Sequence, residues 1–338
     1  MMLPLLMTAI GLPSSMTAVY KDGFMCFTPF KCVKTHTVPV PTAPGEGEVL
    51  IKVAASSVNP CDVDFIEYGV GCPGSGGTLG MDYAGEVVVV GSGCKRLKVG
   101  DAVWADSGAL KGDTGGMAEY ALLDEEQTGL KPASLNGTEA GTIPLVGLTA
   151  LELWQKAGLP NRTGTNLSVV VTSGSGGTGF MGIQLGKAFG AEHVATATSA
   201  VNIPFVEALG ADIVIDYHKQ DLFDALPDDS IDIVFDNFGG KGTADKAMRT
   251  IRPGGVFILL PGGGGGTLSK HPKAGVTQIN FGETTSSHHS QLDILKGLFD
   301  AGKLRAHVYA AFPLARAAEA FAMNKAGHVA GKVAVTAS

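Results

Sequence analysis

At 338 residues the chain exceeds the ~250 to 300 at which a single hydrophobic core usually stops growing, so two domains are expected. A 17% charged and 45% hydrophobic composition excludes a disordered polyelectrolyte. A net charge of −7 with no run of Lys or Arg makes nucleic acid an unlikely partner and argues against an anionic-membrane surface.

Glycine is the outlier. Its 48 residues are about twice the usual ~7% share, so many tight turns or close backbone approaches are implied. The five cysteines, Cys26, Cys32, Cys61, Cys72 and Cys94, are odd in number and form no C-x-x-C pair. Reduced thiols and a cytoplasmic location are the simplest reading. No stretch reaches the ~18 apolar residues needed to span a bilayer, so no membrane association is expected. The apolar start, Met1 to Ile10, lacks a basic n-region and is broken by Pro4. Residues 1–15 therefore read as a dispensable extension, with a targeting segment as the other possibility.

Up to about residue 145, short Val-rich runs are separated by Gly and Pro clusters and predict a mostly β domain. Thr17 to Tyr20, Val49 to Val53, Glu86 to Val90 and Ala102 to Trp104 are its strands. The texture then changes. Ile143 to Ala157 carries Leu148, Leu151 and Trp154 at helical spacing and stops at Gly158. Strands (Val169 to Val171, Val194 to Ala197, Ile213 to Ile215, Ile231 to Phe235, Val256 to Leu260) then alternate with helices (Phe180 to Phe189, Pro204 to Leu209, Thr243 to Ile251). Such alternation predicts a parallel sheet covered by helices on both faces. The Gly262 to Gly266 run reads as a loop. Beyond Val276 the rhythm breaks, with helices expected at Ser290 to Asp300 and Leu314 to Asn324 and a closing strand at Lys332 to Val335.

One motif carries chemistry. Gly174-Ser175-Gly176-Gly177-Thr178-Gly179 fits G-x-G-x-x-G, with a strand before it and a helix after it. Glycines let the main chain turn sharply and approach a pyrophosphate, whose charge the free N–H groups of the helix start stabilise. A dinucleotide belongs there. NAD-type sites place a carboxylate about 20 residues on, but this chain has Thr198 and Ser199, which leaves nothing to repel a 2′-phosphate. NADPH is therefore favoured over NADH; the alternative is that both hydroxyls only cap the next helix.

Competing chemistries fail on spacing. There is no Tyr-x-x-x-Lys pair, G-x-S-x-G elbow, H-E-x-x-H or P-loop lysine. His288 and His289 are adjacent and should face apart as solvated surface, so no metal site is expected.

At this point the chain resembles the zinc-independent quinone oxidoreductases, the ζ-crystallin-like branch of the medium-chain dehydrogenase/reductase superfamily, from about residue 17 onward. The resemblance rests on Ala55 to Asp62 (ASSVNPCD), Leu79 to Val87 (LGMDYAGEV), Val99 to Val103 (VGDAV), Gly116 to Tyr120 (GMAEY), Gly147 to Ala150 (GLTA), the glycine motif, Leu209 to Asp212 (LGAD) and Gly331 to Val333 (GKV), in this order. It implies an α/β architecture. A GroES-like, partly open β-barrel catalytic domain (1–146 and 287–338) would be interrupted by a doubly wound Rossmann domain with a parallel sheet (147–286), usually in a homodimer or homotetramer.

The resemblance also implies roles. Asn59 and Thr149 would lie by the nicotinamide and reactive end, with Gly176 and Gly179 under the pyrophosphate. Asn237-Phe238 and Leu260-Pro261-Gly262 would lie along the cofactor at strand ends, and Tyr217 is counted among the cofactor-binding residues. Asp82 matches an acidic position near the former zinc site, where pairing with a lysine or arginine and a catalytic role are both open. Zinc-dependent relatives carry ligands where this chain has Asn59 and Met81, both poor Zn²⁺ donors. Without a Lewis acid, the acceptor must already be conjugated, which implies an NADPH:quinone oxidoreductase or an enone or alkenal reductase. The alternative is an NADPH-binding structural, regulatory or RNA-associated protein with little turnover. Two departures stand out. A lysine that clamps the 2′-phosphate in many relatives is Asn202 here, leaving Ser199, Lys219 or Lys332 as substitutes. A pocket tyrosine of several relatives is Asp64.

Overall fold

The computed structural model describes residues 11–23, 25–41, 43–69, 77–106, 115–161, 166–262, 264–281 and 288–337. Most of the expected N-terminal extension, Cys72 and the expected boundary at 286 and 287 lie outside them. The chain divides into two compact units, Met1–Leu148 with Ser286–Ser338, and Thr149–Thr285.

Fifteen strands occur among the described residues. They are β1 (Ser15–Lys21), β2 (Val33–Pro39), β3 (Glu48–Val58), β4 (Asp82–Val90), β5 (Ala102–Asp106), β6 (Tyr120–Asp124), β7 (Thr128–Leu130), β8 (Ser168–Val171), β9 (His193–Thr198), β10 (Ile213–Asp216), β11 (Ile231–Asp236), β12 (Ile251–Leu259), β13 (Thr277–Asn280), β14 (Val308–Pro313) and β15 (Lys332–Thr336). The helices used below are α1 (Pro60–Tyr68), α2 (Pro144–Lys156), α3 (Gly177–Ala188), α4 (Ile203–Ala208), α5 (Thr243–Thr250), α6 (His289–Asp300) and α7 (Ala317–Ala326).

In the first unit, β1 and β2 form an antiparallel pair, and a larger sheet runs β14-β15-β3-β4-β5-β7 with β6 also on β3. The path does not close on itself, so the barrel is partly open. Strand β3 is its spine because both of its faces are buried. Val49, Ile51 and Val53 pack with Tyr83, Val87, Val103 and Leu123, while Leu50 packs with Met16, Ala18, Val40 and Ala118. At its end the chain turns directly into α1: Asn59 is the N-cap, Pro60 opens the helix and Gly69 ends it in the left-handed region at φ 71°. That helix buries Val63 and Ile66 against Ala320 and Phe321 of α7.

The second unit holds a parallel sheet in the order β10-β9-β8-β11-β12-β13. Val169 to Val171 and Ile233 to Phe235 are fully buried, as continuous apolar strands covered on both faces must be. Helix α3 contributes Phe180, Met181, Ile183 and Leu185 to the core. Trp154 of α2 meets Phe235 edge-on and donates its indole N–H to the Gly182 carbonyl at 2.9 Å. The strand order reverses between β8 and β11, which is the switch point of a doubly wound sheet.

The elements differ from the sequence reading in three informative places. A strand is expected at Val256 to Leu260, yet β12 starts at Ile251 and runs through Pro253 and Gly254, where Gly254 adopts φ 85° and the register to β11 shifts. Strand β2 went unread because its alternating residues are mostly polar and exposed. The expectation of reduced thiols is corrected: Cys26 and Cys32 form a disulfide, and Cys61 is disulfide-bonded as well. Cys32 follows Cys26 by six positions, and the Cys32 N–H points at the Cys26 sulfur at 3.3 Å, a loop closure that spacing rules for metal or redox pairs do not flag. No helix among the described residues is long and apolar enough to cross a membrane.

Candidate functional site

The glycine loop lies at the carboxyl end of β8, at the switch point. Two of its glycines are demanded by the protein's own packing. A Cβ on Gly174 would overlap the Thr196 hydroxyl, and one on Gly179 would overlap the Ser173 carbonyl. Gly176 is different: a Cβ there would meet only the Ser173 carbonyl and hydroxyl at 3.4 Å, an ordinary contact. Its bareness therefore leaves room in front of the helix that it caps. Gly177, Thr178 and Gly179 form the first turn of α3, where N–H groups have no helical partner. This is a cradle that fits a pyrophosphate.

The other residues assigned to a cofactor surround that loop within the second unit. The Thr198 hydroxyl donates to Ser175 Oγ at 2.9 Å, and the Asn202 amide lies 3.5 Å from Ser175 Oγ and 3.3 Å from Ser199 Oγ. Tyr217 joins them by donating its main-chain N–H to the Thr198 carbonyl at 3.2 Å, with its ring exposed against His218. Across the switch point the Asn237 side chain donates to the Thr172 carbonyl. Gly239 at φ 63° brings this strand end beside Leu260 and Gly262, whose main chain a Cβ would meet at 3.1 Å. Phe238 and Pro261 stand exposed at the rim. Sequence reasoning missed Asp236, which ties the loop together: its Oδ1 accepts from the Thr172 hydroxyl at 2.8 Å and from the Gly239 N–H at 3.1 Å. Its Oδ2 is buried without a partner among the described residues, and burial raises its pKa.

The first unit holds a second constellation. Asn59 and Asp82 are fully buried. The Asp82 carboxylate accepts from Ser57 Oγ at 2.5 Å, from the Asn59 amide at 2.9 Å and from the Leu145 N–H at 2.7 Å. Lys332 donates to the Asn59 side-chain oxygen and lies 3.7 Å from Asp82 Oδ2. The ammonium, offered as a substitute at a 2′-phosphate, is buried beside these groups. Lys219, another offered substitute, is exposed and pairs with Asp216 at 3.7 Å. Asp62, also missed, accepts the Asn59 N–H at 2.8 Å. Burial pushes its carboxyl up to about 7, opposed by the Asn59 N–H. Burial likewise lowers the Lys332 ammonium, against the pull of Asp82 and Asp62. An Asn-Pro start followed by Asp at the third helical position is a capping signal that could have identified Asp62. Asp64, at the position of a pocket tyrosine in relatives, is raised by partial burial.

The donor set does not fit a catalytic zinc. Both polar atoms of the Asn59 side chain are engaged, a lysine ammonium occupies its surroundings, and Met81 offers only a thioether, 3.9 Å from Cys61 Sγ. Thr149 is nearly buried on α2 at the start of the second unit.

Comparison with known proteins places these features. The alcohol dehydrogenase GroES-like domain family matches residues 45–133, and the zinc-binding dehydrogenase family matches residues 209–335. The chain is 33% identical over 339 residues to the 2-methylene-furan-3-one reductase of Solanum lycopersicum, covering 97% of this chain and 81% of that protein. It is 35% identical over 299 residues to the chloroplastic NADPH-dependent alkenal/one oxidoreductase of Arabidopsis thaliana, covering 86% and 72%. Among solved structures, the quinone oxidoreductase from Coxiella burnetii superposes with a TM-score of 0.79 at 26% identity, covering 96% and 100%. The order of the motifs, the open barrel, the doubly wound sheet and these relatives agree: the chain belongs to the quinone oxidoreductase family of the medium-chain dehydrogenase/reductase superfamily.

Proposed function

We propose that this protein is a metal-independent reductase that uses NADPH to reduce a quinone or another conjugated carbonyl acceptor. The observation that carries this reading is the Asn59–Asp82–Lys332 cluster, where a buried lysine stands in the surroundings of the former metal position. When bound, the reduced nicotinamide supplies a hydride; a conjugated acceptor spreads the resulting charge over its oxygen and needs no Lewis acid.

The chain's own groups bind and orient. The glycine loop and the first turn of α3 hold the pyrophosphate. Ser175, Thr198, Ser199 and Asn202 offer hydroxyl and amide donors for a 2′-phosphate. Asn59 and Thr149 are assigned to the reacting end. Asp82 and Lys332 fix the Asn59 amide, since each of its polar atoms has one partner, and the buried ammonium favours negative charge developing nearby. A homodimer or homotetramer completes the proposal, by analogy with the family.

NADPH oxidation tests it, followed by loss of its absorbance with phenanthrenequinone, benzoquinone and a 2-alkenal, before and after dialysis against EDTA. Turnover with at least one acceptor, unchanged by dialysis, is expected. Binding of NADPH without oxidation by any acceptor would favour a binding protein, and loss of turnover on dialysis would overturn the metal-independent mechanism.

A further inference from the structure

His288 and His289 do not face apart. His288 is the N-cap of α6, with extended backbone at φ −133° and ψ 137°, whereas His289 is already helical. This change of conformation turns both rings to one side, with centroids 4.4 Å apart. Each Nε2 lies 3.6 Å from the same carboxylate oxygen, Glu126 Oε2. Among the described residues, these three are the group of His, Cys, Asp and Glu that converges closely enough to hold a metal ion.

From this geometry we propose that Glu126, His288 and His289 form a surface site for a borderline divalent transition cation, of which zinc is the representative. It shares no residue with the Asn59 cluster. Three observations support it. First, 3.6 Å is too long for a hydrogen bond, but it is close to the ~3.3 to 3.4 Å edge that ligands ~2.0 to 2.1 Å from a tetrahedral zinc define.

Second, the far nitrogens are already held. His289 Nδ1 lies 3.4 Å from Asp293 Oδ2, and His288 Nδ1 lies 2.8 Å from Ser290 Oγ. A proton on His289 Nδ1 donates to Asp293 and leaves its Nε2 lone pair directed at the metal position, the outer-shell arrangement of a histidine ligand. His288 Nδ1 also accepts the Ser290 N–H at 3.2 Å, a capping bond that zinc binding at its Nε2 would exchange for donation to Ser290 Oγ. Without a cation, the His289 Nε2 lone pair would instead face a carboxylate.

Third, both supporting elements are rigid. The turn carrying Glu126 is pinned by Glu125, whose carboxylate accepts from the N–H groups of Lys95, Arg96 and Leu97. The start of α6 packs so closely on β7 that a Cβ on Gly129 would meet Leu292 at 2.7 Å. Two imidazoles and one carboxylate suit zinc, nickel or copper rather than calcium or magnesium. All three ligands are at least partly exposed, so water can fill the remaining coordination positions.

Calorimetric titration of the full chain, dialysed against EDTA, with zinc chloride tests this. A single zinc per chain is expected. His288→Asn, which keeps a capping side chain, and His289→Gln should each weaken it about tenfold or more, and the double variant should abolish it. Zinc should also raise the Tm of the parent and not that of the double variant, as linkage requires. Equal zinc affinity and stoichiometry in the parent and a double variant with unchanged circular dichroism, or no zinc binding by the parent, would overturn the proposal. NADPH oxidation, which does not involve these residues, should survive in all three variants.

Discussion

Lys332 stands 3.7 Å from Asp82 with both groups buried, although the sequence separates them by most of its length. Sheet register brings them together: Val333 pairs with Val58 across β15 and β3, which sets Lys332 beside Asn59 at the strand end. A buried ammonium and carboxylate of this kind are balanced only as a set, because each alone would carry the desolvation penalty of an isolated charge.

Lys332→Met should therefore destabilise the protein by roughly 3 to 5 kcal/mol in urea unfolding, the usual consequence of removing one partner of a buried pair. Asp82→Asn combined with Lys332→Met should cost less than the sum of the two single changes. Additive effects would show that the two groups do not interact.

Asp62 predicts a pH dependence. Its carboxyl titrates near 7 in the folded protein, against about 3.9 in an unfolded chain. Between these values the folded state holds the proton that the unfolded state has lost, so stability falls as pH rises from about 4 to about 7, then levels off. Asp62→Asn retains an acceptor for the Asn59 N–H and removes the titration. The variant should gain on the parent across that window, by up to a few kcal/mol. Parallel stability curves from pH 4 to 8 would contradict this assignment.

The parts legible in the sequence are those built from neighbours. The glycine loop, its strand and its helix are contiguous, and each constraint acts within about ten residues, so the motif was readable from Gly174 to Gly179. The Lys332 cluster was not, because it is assembled by register from residues 57, 59, 62, 82 and 332, and register is not written in any one segment. Lys332 was accordingly read as a cofactor contact. His288 and His289 failed for a local reason: the rule that adjacent side chains diverge holds inside one regular element, and this pair straddles the start of a helix.

Asn202 tests the choice of dinucleotide. Its amide already lies within 3.5 Å of Ser175 and Ser199, where the proposal places the 2′-phosphate. Asn202→Lys would add a charge-assisted contact that only NADPH can make. NADPH should bind about tenfold more tightly, near 1.4 kcal/mol, with NADH little changed. Equal tightening of both would place the phosphate elsewhere.

Gly176 and Gly179 separate folding from binding. At Gly179 a methyl group would press on the Ser173 carbonyl and lie 3.0 Å from the Gly174 Cα, so main chain must move against main chain. Gly179→Ala should cost about 1 to 3 kcal/mol of stability. At Gly176 the backbone has φ −72°, which any residue adopts, and the added methyl meets the protein only at ordinary contact distance. Gly176→Ala should leave stability within about 0.5 kcal/mol. The methyl would nonetheless stand in the space before the first turn of α3, where the phosphates are proposed to sit, and NADPH affinity should fall at least about tenfold. Fluorescence titration with NADPH, beside thermal unfolding of both variants, checks the contrast. A Gly176→Ala protein that binds NADPH as the parent does would move the pyrophosphate away from this loop.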